Sequence, residues 1–141
     1  MNLQAFIDWQ NGDYCDFDKN KRYWCVDLMR TYIQEVLNMS GWIIPATDYA
    51  KNIFKRFPDC GTQEFIKIYN QKDNYPKAGD IVIWGWKWPT TGYAGHVAIC
   101  TGGDVNQFIS LDQNYPTGKP CRYTTHTYRG VLGWLRPIPQ K

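Results

Sequence analysis

The chain has no hydrophobic run long enough to cross a membrane, and its first residues carry neither the basic nor the apolar segment of a signal peptide. Its net charge is only +3, and Lys and Arg are scattered without a stripe, which argues against a nucleic-acid-binding surface. Low-complexity segments are also missing. We therefore expect residues 1–141 to form a single domain and a monomer, with no nucleic-acid partner and no membrane insertion.

Paired cysteines and abundant histidines, the usual ligands of zinc, are absent as well. The five cysteines include no Cys-x-x-Cys pair and their number is odd, which argues against a zinc cluster and favours a reduced compartment with at least one free thiol. Only two histidines occur, His96 and His126. If the chain is a thiol hydrolase, the general base must be one of these two.

Aromatic residues, by contrast, make up 16% of the chain, with seven Trp and ten Tyr. They suit either a core built on large rings or a groove that stacks on sugars and peptides. Trp84 continues an apolar strand pattern and is expected in the core. Trp86 and Trp88 precede a glycine-containing loop, and we interpret them as candidates for substrate contact, although ordinary packing explains them equally well.

Helical patterns come first along the chain and strand patterns follow. Apolar spacing predicts a short helix capped by Asn2, a longer helix from Trp24 to Met39, and a third helix between Pro45 and Pro58 with Thr47 as its candidate cap. Alternating or β-branched segments then predict strands at about 64–69, 80–84, 96–101, 107–112, 121–125 and 131–135. This order predicts an α+β fold with N-terminal helices and a mostly antiparallel sheet.

An acidic loop precedes the second predicted helix. Asp16, Asp18, Asn20, Arg22 and Asp27 stand at positions 1, 3, 5, 7 and 12 of a twelve-residue segment, which is the ligand spacing of a calcium loop. The segment departs from an EF-hand at position 6, where Lys21 replaces glycine, and at position 12, where Asp replaces Glu. The competing interpretation is a surface turn rich in Asp and Asn.

Cys25 lies where the apolar pattern of the second helix begins. A thiol at a helix N-terminus meets the positive end of the helix dipole, which favours the nucleophilic thiolate. The alternative is a small buried hydrophobic residue, which is what most free cysteines are.

His96 is the histidine with the more suggestive surroundings. It starts a strong strand pattern after Gly95, and the next strand ends in Asp112 and Asn114, which share one face if the chain is extended. A carboxylate there can fix the tautomer of His96, and an amide can orient the ring or help to hold an oxyanion. A turn at the end of the strand explains the same composition. His126 lies in a polar stretch without an acidic neighbour in sequence, and we expect it to matter little.

Four blocks of sequence, in order, resemble the CHAP domain, the cysteine- and histidine-dependent amidohydrolase/peptidase family. The blocks are Tyr23-Trp24-Cys25-Val26-Asp27, Pro76-Lys77-Ala78-Gly79-Asp80-Ile81-Val82-Ile83-Trp84, Gly95-His96-Val97-Ala98-Ile99 and Leu111-Asp112-Gln113-Asn114. The similarity is strongest to catalytic domains of bacteriophage endolysins that act on Gram-positive cell walls. It implies a papain-like fold of the NlpC/P60-CHAP type, with the cysteine helix packed on the histidine-bearing sheet.

The resemblance also implies roles for individual residues. Cys25 is expected to be the nucleophile, His96 the base, Asp112 the residue that orients it and Asn114 a polar partner. Several endolysins of this family bind calcium just before the cysteine, and the acidic loop from Asp16 to Asp27 falls on that pattern. Two positions differ from the family: Trp24 stands where Gln is frequent, and Asp112 stands where Glu is frequent.

These expectations describe a calcium-dependent peptidoglycan hydrolase of the endolysin type. It would act as an N-acetylmuramoyl-L-alanine amidase or as an endopeptidase, and the sequence leaves this choice open. We expect synthesis in the cytoplasm of a host bacterium, action on the wall after release, and a separate wall-binding domain absent from this chain. The alternatives are a noncatalytic, aromatic-rich wall-binding module and a calcium-binding structural domain, neither of which needs both Cys25 and His96.

Overall fold

The computed structural model describes residues 1–58, 64–87 and 93–139. These residues form three helices and six strands: α1 (Leu3–Gln10), α2 (Cys25–Glu35), α3 (Lys51–Lys55), β1 (Phe65–Tyr69), β2 (Ile81–Trp84), β3 (His96–Gly103), β4 (Phe108–Asp112), β5 (Arg122–His126) and β6 (Val131–Pro137). The strands form one antiparallel sheet in the order β1-β6-β2-β3-β4-β5. The predicted α+β class is confirmed.

The third helix is shorter than its apolar pattern predicts. The chain from Pro45 onward forms turns, and helical geometry begins only at α3. The hydroxyl of Thr47 donates to the carbonyl of Tyr49 at 2.7 Å, so this residue closes a local turn instead of capping a helix. The resulting segment lies close to His96 and later forms one wall of the groove described below.

The sheet is buried on both faces, which explains why its central strands are apolar throughout. Ile81, Ile83, Val97, Ile99 and Leu135 belong to the core that packs against the helices. Alternate residues of the same strands, together with neighbours on β4 and β6, form a second cluster on the opposite face: Val82, Trp84, Ala98, Cys100, Phe108, Val131 and Trp134. Trp84 is therefore a core residue, as predicted.

Helix α2 is anchored on the sheet through its buried face. Leu28, Met29 and Ile33 are fully buried in the first core, and the hydroxyl of Tyr32 donates to the carbonyl of Gly79 at 2.7 Å. These contacts fix the axis of the helix, so its first residue projects at a defined place beside the start of β3. Among the described residues, no helix is long and apolar enough to span a membrane.

Gly133 is the position in β6 where the sheet tolerates no side chain. A Cβ there would collide with the backbone carbonyl of Ile68 and lie 2.7 Å from the ring of Phe54. We expect Gly133→Ala to lower the free energy of unfolding by about 1–3 kcal/mol, because neither neighbour can move without disturbing the core. Gly85→Ala, which meets only the end of the flexible Leu132 side chain, is the control. Equal stabilities of the two variants in urea unfolding would contradict this account.

Candidate active site

The first turn of α2 presents Cys25 to a surface groove. Trp24 precedes the helix, and its backbone N–H donates to Oδ2 of Asp27 at 2.9 Å. This bond fixes the turn, because it satisfies a donor that has no acceptor within the helix. Cys25 is half-buried, and its own backbone N–H belongs to the first turn, whose amides point towards the groove end of the helix. The thiol therefore sits at the positive end of the helix dipole.

The other described cysteines lie in surroundings that suppress the thiolate. Cys15, Cys100 and Cys121 are buried. Burial raises the pKa of Cys15 to about 11 and the pKa values of Cys100 and Cys121 to about 12. Cys60 lies outside the described residues. Cys25 is thus the described cysteine that combines access to the groove with a helix N-terminus.

His96 begins β3 and is brought to Cys25 by a turn that requires glycine. Gly95 has a φ of 79°, and a Cβ at this position would collide with the carbonyl of Trp84. The His96 ring is buried and its Nε2 lies 2.8 Å from Oδ2 of Asp112; the Cys25 thiol lines the same groove and is close enough to raise the pKa of the ring. Because Nε2 is engaged by the carboxylate, Nδ1 is the nitrogen available to the thiol. Thiol, imidazole and carboxylate therefore form one relay.

The charges of His96 and Asp112 support one another at two buried positions. Burial by itself would lower the pKa of His96, but interactions with Asp112 and Cys25 outweigh it and raise that pKa to about 9. Burial likewise opposes ionisation of Asp112, but hydrogen bonds from His126 and His96 hold the pKa of this carboxyl well below its ordinary value. At neutral pH the arrangement therefore favours a carboxylate beside an imidazolium, which can in turn stabilise a thiolate.

His126 contacts Asp112 together with His96, although its sequence context predicts that it matters little. Its Nε2 lies 3.0 Å from Oδ2 of Asp112, and its ring is buried. The sequence around His126 has no acidic residue, but Asp112 reaches the ring from the adjacent strand β4. A signal was present in the sequence: two predicted strands joined by a short polar segment are expected to pair, which brings 107–112 next to 121–125.

Asn114 lies in the groove, but not for the reason predicted. Strand β4 ends at Asp112, and Asn114 has a φ of 63°, so the two residues do not share the face of an extended chain. The side-chain carbonyl of Asn114 accepts from the N–H of Gly118 at 2.6 Å, which closes the turn after the strand. The residue nevertheless lines the groove together with Cys25 and His96.

Gln113 ties the nucleophile's segment to the sheet, and sequence reasoning missed it. Its buried amide accepts from the N–H of Cys15 at 2.6 Å and donates to the carbonyls of Cys15 and Trp24 at 2.9 and 2.8 Å. Trp24 directly precedes the candidate nucleophile, and Gln113 directly follows Asp112. One amide therefore connects the strand of the carboxylate to the start of α2.

The groove around Cys25 and His96 has a volume of about 360 Å³, and aromatic residues stand along it. Trp24, Tyr49 and Tyr93 are exposed and line it, and the rings of Tyr49 and Tyr93 are in contact edge to face. Trp86 is exposed but does not belong to the described residues that line this groove. Trp88 lies outside the described residues.

The acidic loop brings three of the five predicted metal ligands together. One carboxylate oxygen each from Asp16, Asp18 and Asp27 lie within 4.8 Å of one another. Side-chain oxygens also fold the loop on itself: Asp16 accepts from the N–H of Lys21 at 2.8 Å, and Asn20 accepts from the N–H of Arg22 at 2.8 Å. Lys21 has a φ of 61°, so it adopts the left-handed conformation for which an EF-hand uses glycine.

The electrostatics of the loop are those of a crowded anionic site. Oδ1 of Asp16 is buried and has no hydrogen-bond partner among the described residues. Burial, followed by repulsion from Asp18 and Asp16, raises the pKa of Asp27 to about 6. A hard cation held by oxygen ligands would relieve both features, so the residues present fit calcium.

The chain resembles known proteins in sequence and in fold. A sequence model of the family described as CHAP domain matches residues 17–114. The crystal structure of the wild type endolysin LysIME-EF1 is similar with a TM-score of 0.74 and 24% identity, over 100% of this chain and 66% of that one. The structure of Ly7917 with the hydrolyzing product of MDP is similar with a TM-score of 0.62 and 19% identity, over 95% of this chain and 60% of that one.

The chain thus spans less than two thirds of the length of these two structures, and at such identities the likeness shows a shared fold. No curated protein matches the chain.

Replacing Gln113 should loosen the candidate nucleophile. Gln113→Leu would leave the buried N–H and carbonyl of Cys15 without their partner, each costing about 1–3 kcal/mol, and would remove one of two hydrogen bonds to the carbonyl of Trp24. We expect a loss of at least about 2 kcal/mol in chemical unfolding, together with slower alkylation of Cys25 by iodoacetamide at neutral pH, followed by peptide mass spectrometry. Gln107→Leu, the same change at an exposed position just before β4, is the matched control. Indistinguishable behaviour of the two variants would rule out the connecting role.

Proposed function

The chain belongs to the CHAP domain family, and from this premise we propose that it is a peptidoglycan hydrolase of the endolysin type, which uses Cys25 to cleave an amide bond of the bacterial cell wall. The observation that carries the proposal is the relay of Cys25, His96 and Asp112 at the floor of an open groove. A wall-binding module or a calcium-binding structural domain would need no such relay, and a buried ionised cluster is costly to maintain without a use.

In the proposed reaction, the Cys25 thiolate attacks the carbonyl carbon of the amide, and the C–N bond breaks as the tetrahedral intermediate collapses. His96, protonated through its partnership with Asp112, gives its Nδ1 proton to the leaving amine. Water then attacks the thioester while His96 accepts a proton from it. The C–S bond breaks, the carboxylic acid product leaves, and the Cys25 thiolate beside a protonated His96 is regenerated. The backbone N–H of Cys25 stabilises the oxyanion at both stages.

The groove suits a peptide bonded to a sugar. Trp24, Tyr49 and Tyr93 offer flat apolar surfaces, and Asp48 and Asn114 add polar groups beside them. Asn114 contributes its amide as a contact for substrate near His96, and Trp86 and Trp88 stay proposed contacts for a longer stretch of wall polymer. The substrates of an N-acetylmuramoyl-L-alanine amidase and of an endopeptidase both present an amide to this groove. The two similar structures, one of an endolysin and one with a hydrolysis product, are compatible with either activity.

We further propose that the acidic loop holds calcium. Asp16, Asp18 and Asp27 would supply carboxylates, Asn20 its amide oxygen and Arg22 its backbone carbonyl. A bound cation there would neutralise the crowded loop. Asp27 meanwhile holds the first turn of α2 through Trp24 and accepts from the N–H of Phe17 at 3.2 Å. The loop residues would thus keep the turn that carries Cys25 in place.

The catalytic proposal is tested on purified Gram-positive peptidoglycan. Cys25→Ala should reduce the rate of turbidity loss by at least about a thousandfold, because Cys25 is the one cysteine among the described residues that lines the groove. Cys100→Ala, a buried cysteine outside the groove, should retain activity. Mass spectrometry of the products then identifies the bond: a new N-terminal alanine with a free lactyl carboxylate indicates an amidase, and new termini within the peptide indicate an endopeptidase.

Two results would contradict the proposal. Full turbidity loss with Cys25→Ala would remove the nucleophile, and tight binding of the unmodified protein to walls without release of any fragment would favour the noncatalytic module.

The calcium proposal is tested by titration calorimetry. We expect the apo-protein to bind Ca²⁺ more tightly than Mg²⁺, since Mg²⁺ demands a tighter octahedron, and we expect Ca²⁺ to raise the melting temperature. Asp16→Asn and Asp18→Asn should abolish both effects, whereas Asp8→Asn, an exposed acidic residue on α1, should change neither. Absence of Ca²⁺ binding at millimolar concentration would identify the loop as a surface turn.

A further inference from the structure

His126 is a buried histidine for which the reaction described above has no use. Its Nε2 lies 3.0 Å from Oδ2 of Asp112, and the same oxygen lies 2.8 Å from Nε2 of His96. Both imidazoles and the carboxylate are at least 97% buried. One carboxylate oxygen therefore accepts hydrogen bonds from two histidines at once.

The hydrogen bonds around Asp112 determine where the protons lie. Ser110 donates its hydroxyl to Oδ1, so Oδ2 is left to the two rings, and each Nε2 must carry a proton to bind it. Nδ1 of His126 is buried and has no partner among the described residues. A proton on that nitrogen would be unsatisfied, so His126 is held as the neutral tautomer protonated on Nε2.

The surroundings keep His126 in this state. Burial lowers the pKa of His126, and its bond to Asp112 offsets this only in part. The other titratable groups that face it are His96 on β3, Lys87 after β2 and Tyr115 after β4; the first two, when charged, oppose a second positive charge. The ring centroids of Trp84 and Tyr115 lie 4.8 and 5.1 Å from that of His126, so the imidazole is held in a buried, aromatic pocket.

We propose that His126 is a positioning residue that acts through Asp112: it shares the carboxylate oxygen that holds His96 and thereby limits how tightly His96 retains its proton. The physical reason is competition, because an oxygen that already accepts one N–H has less charge to offer to a second. His96 must release a proton to a leaving amine. If the Asp112 oxygen accepted from His96 alone, the His96 imidazolium would be a weaker acid. The role of this shared oxygen in catalysis rests on the proposed function. The effect of His126 on the proton affinity of His96 does not.

The test uses the fact that the chain has only two histidines. After removal of any affinity tag, ring-labelled protein gives one imidazole spectrum for His96 in any variant of His126. His126→Gln keeps an N–H donor at nearly the position of Nε2, and His126→Phe keeps a planar ring without the donor. Both replace a neutral side chain by another, so a change in the titration of His96 reports the hydrogen bond and not a lost charge.

We expect the titration midpoint of His96 in His126→Phe to lie at least about half a pH unit above that in His126→Gln, and the latter to match the wild type. Equal midpoints in all three proteins, or a lower one in the Phe variant, would overturn the proposal. If His126→Phe does not fold, His126→Leu provides the same comparison with a smaller side chain.

A second measurement needs no variant. In the wild type near neutral pH, nitrogen chemical shifts and long-range couplings should show His126 protonated on Nε2 and bare on Nδ1. A charged ring or the opposite tautomer would overturn the proposal. Neither measurement uses cell walls, so an inactive protein would refute the proposed function while leaving this inference to be decided by the titrations.

Discussion

The buried carboxylate of Asp112 is the constraint on which the active site depends. An ionised carboxylate removed from water is costly unless its oxygens are hydrogen-bonded, and here His96, His126 and Ser110 supply the donors. The donors come from β3, β5 and β4. Satisfying one charge therefore holds three neighbouring strands in register and orients the candidate base, so that stability and function rest on the same contacts.

The residue after this carboxylate fixes the other half of the site. Asp112 holds the histidines, and Gln113 holds the backbone of Cys15 and Trp24. Asp112 and Gln113 are adjacent in sequence. The same short piece of chain therefore fixes the positions of both the base and the nucleophile. These contacts resist displacements of α2 relative to the sheet that would separate the thiol from the imidazole. A preorganised site requires this.

Local patterns predicted the order of the helices and strands and the fold class, and they identified the candidate catalytic residues. Cys25 was a candidate because a thiol at a helix N-terminus meets the positive end of the helix dipole, and His96 because glycine and a strong strand pattern surround it. The same reasoning predicted a longer third helix and an extended Asn114. Both predictions were wrong because side-chain hydrogen bonds of Thr47 and Asn114 close turns that hydrophobic periodicity does not register.

The sequence by itself determined the α+β class, the helix that carries Cys25, the strand that begins with His96 and the acidic spacing before them. Tertiary structure alone decided that His126 shares the oxygen of Asp112 and that Gln113 clamps the loop before α2. The partners in these contacts are 14 and 98 residues apart. The strand pattern predicts that β4 and β5 pair, but the side chains that share one oxygen or one amide are chosen only when the sheet is assembled and these polar groups are buried.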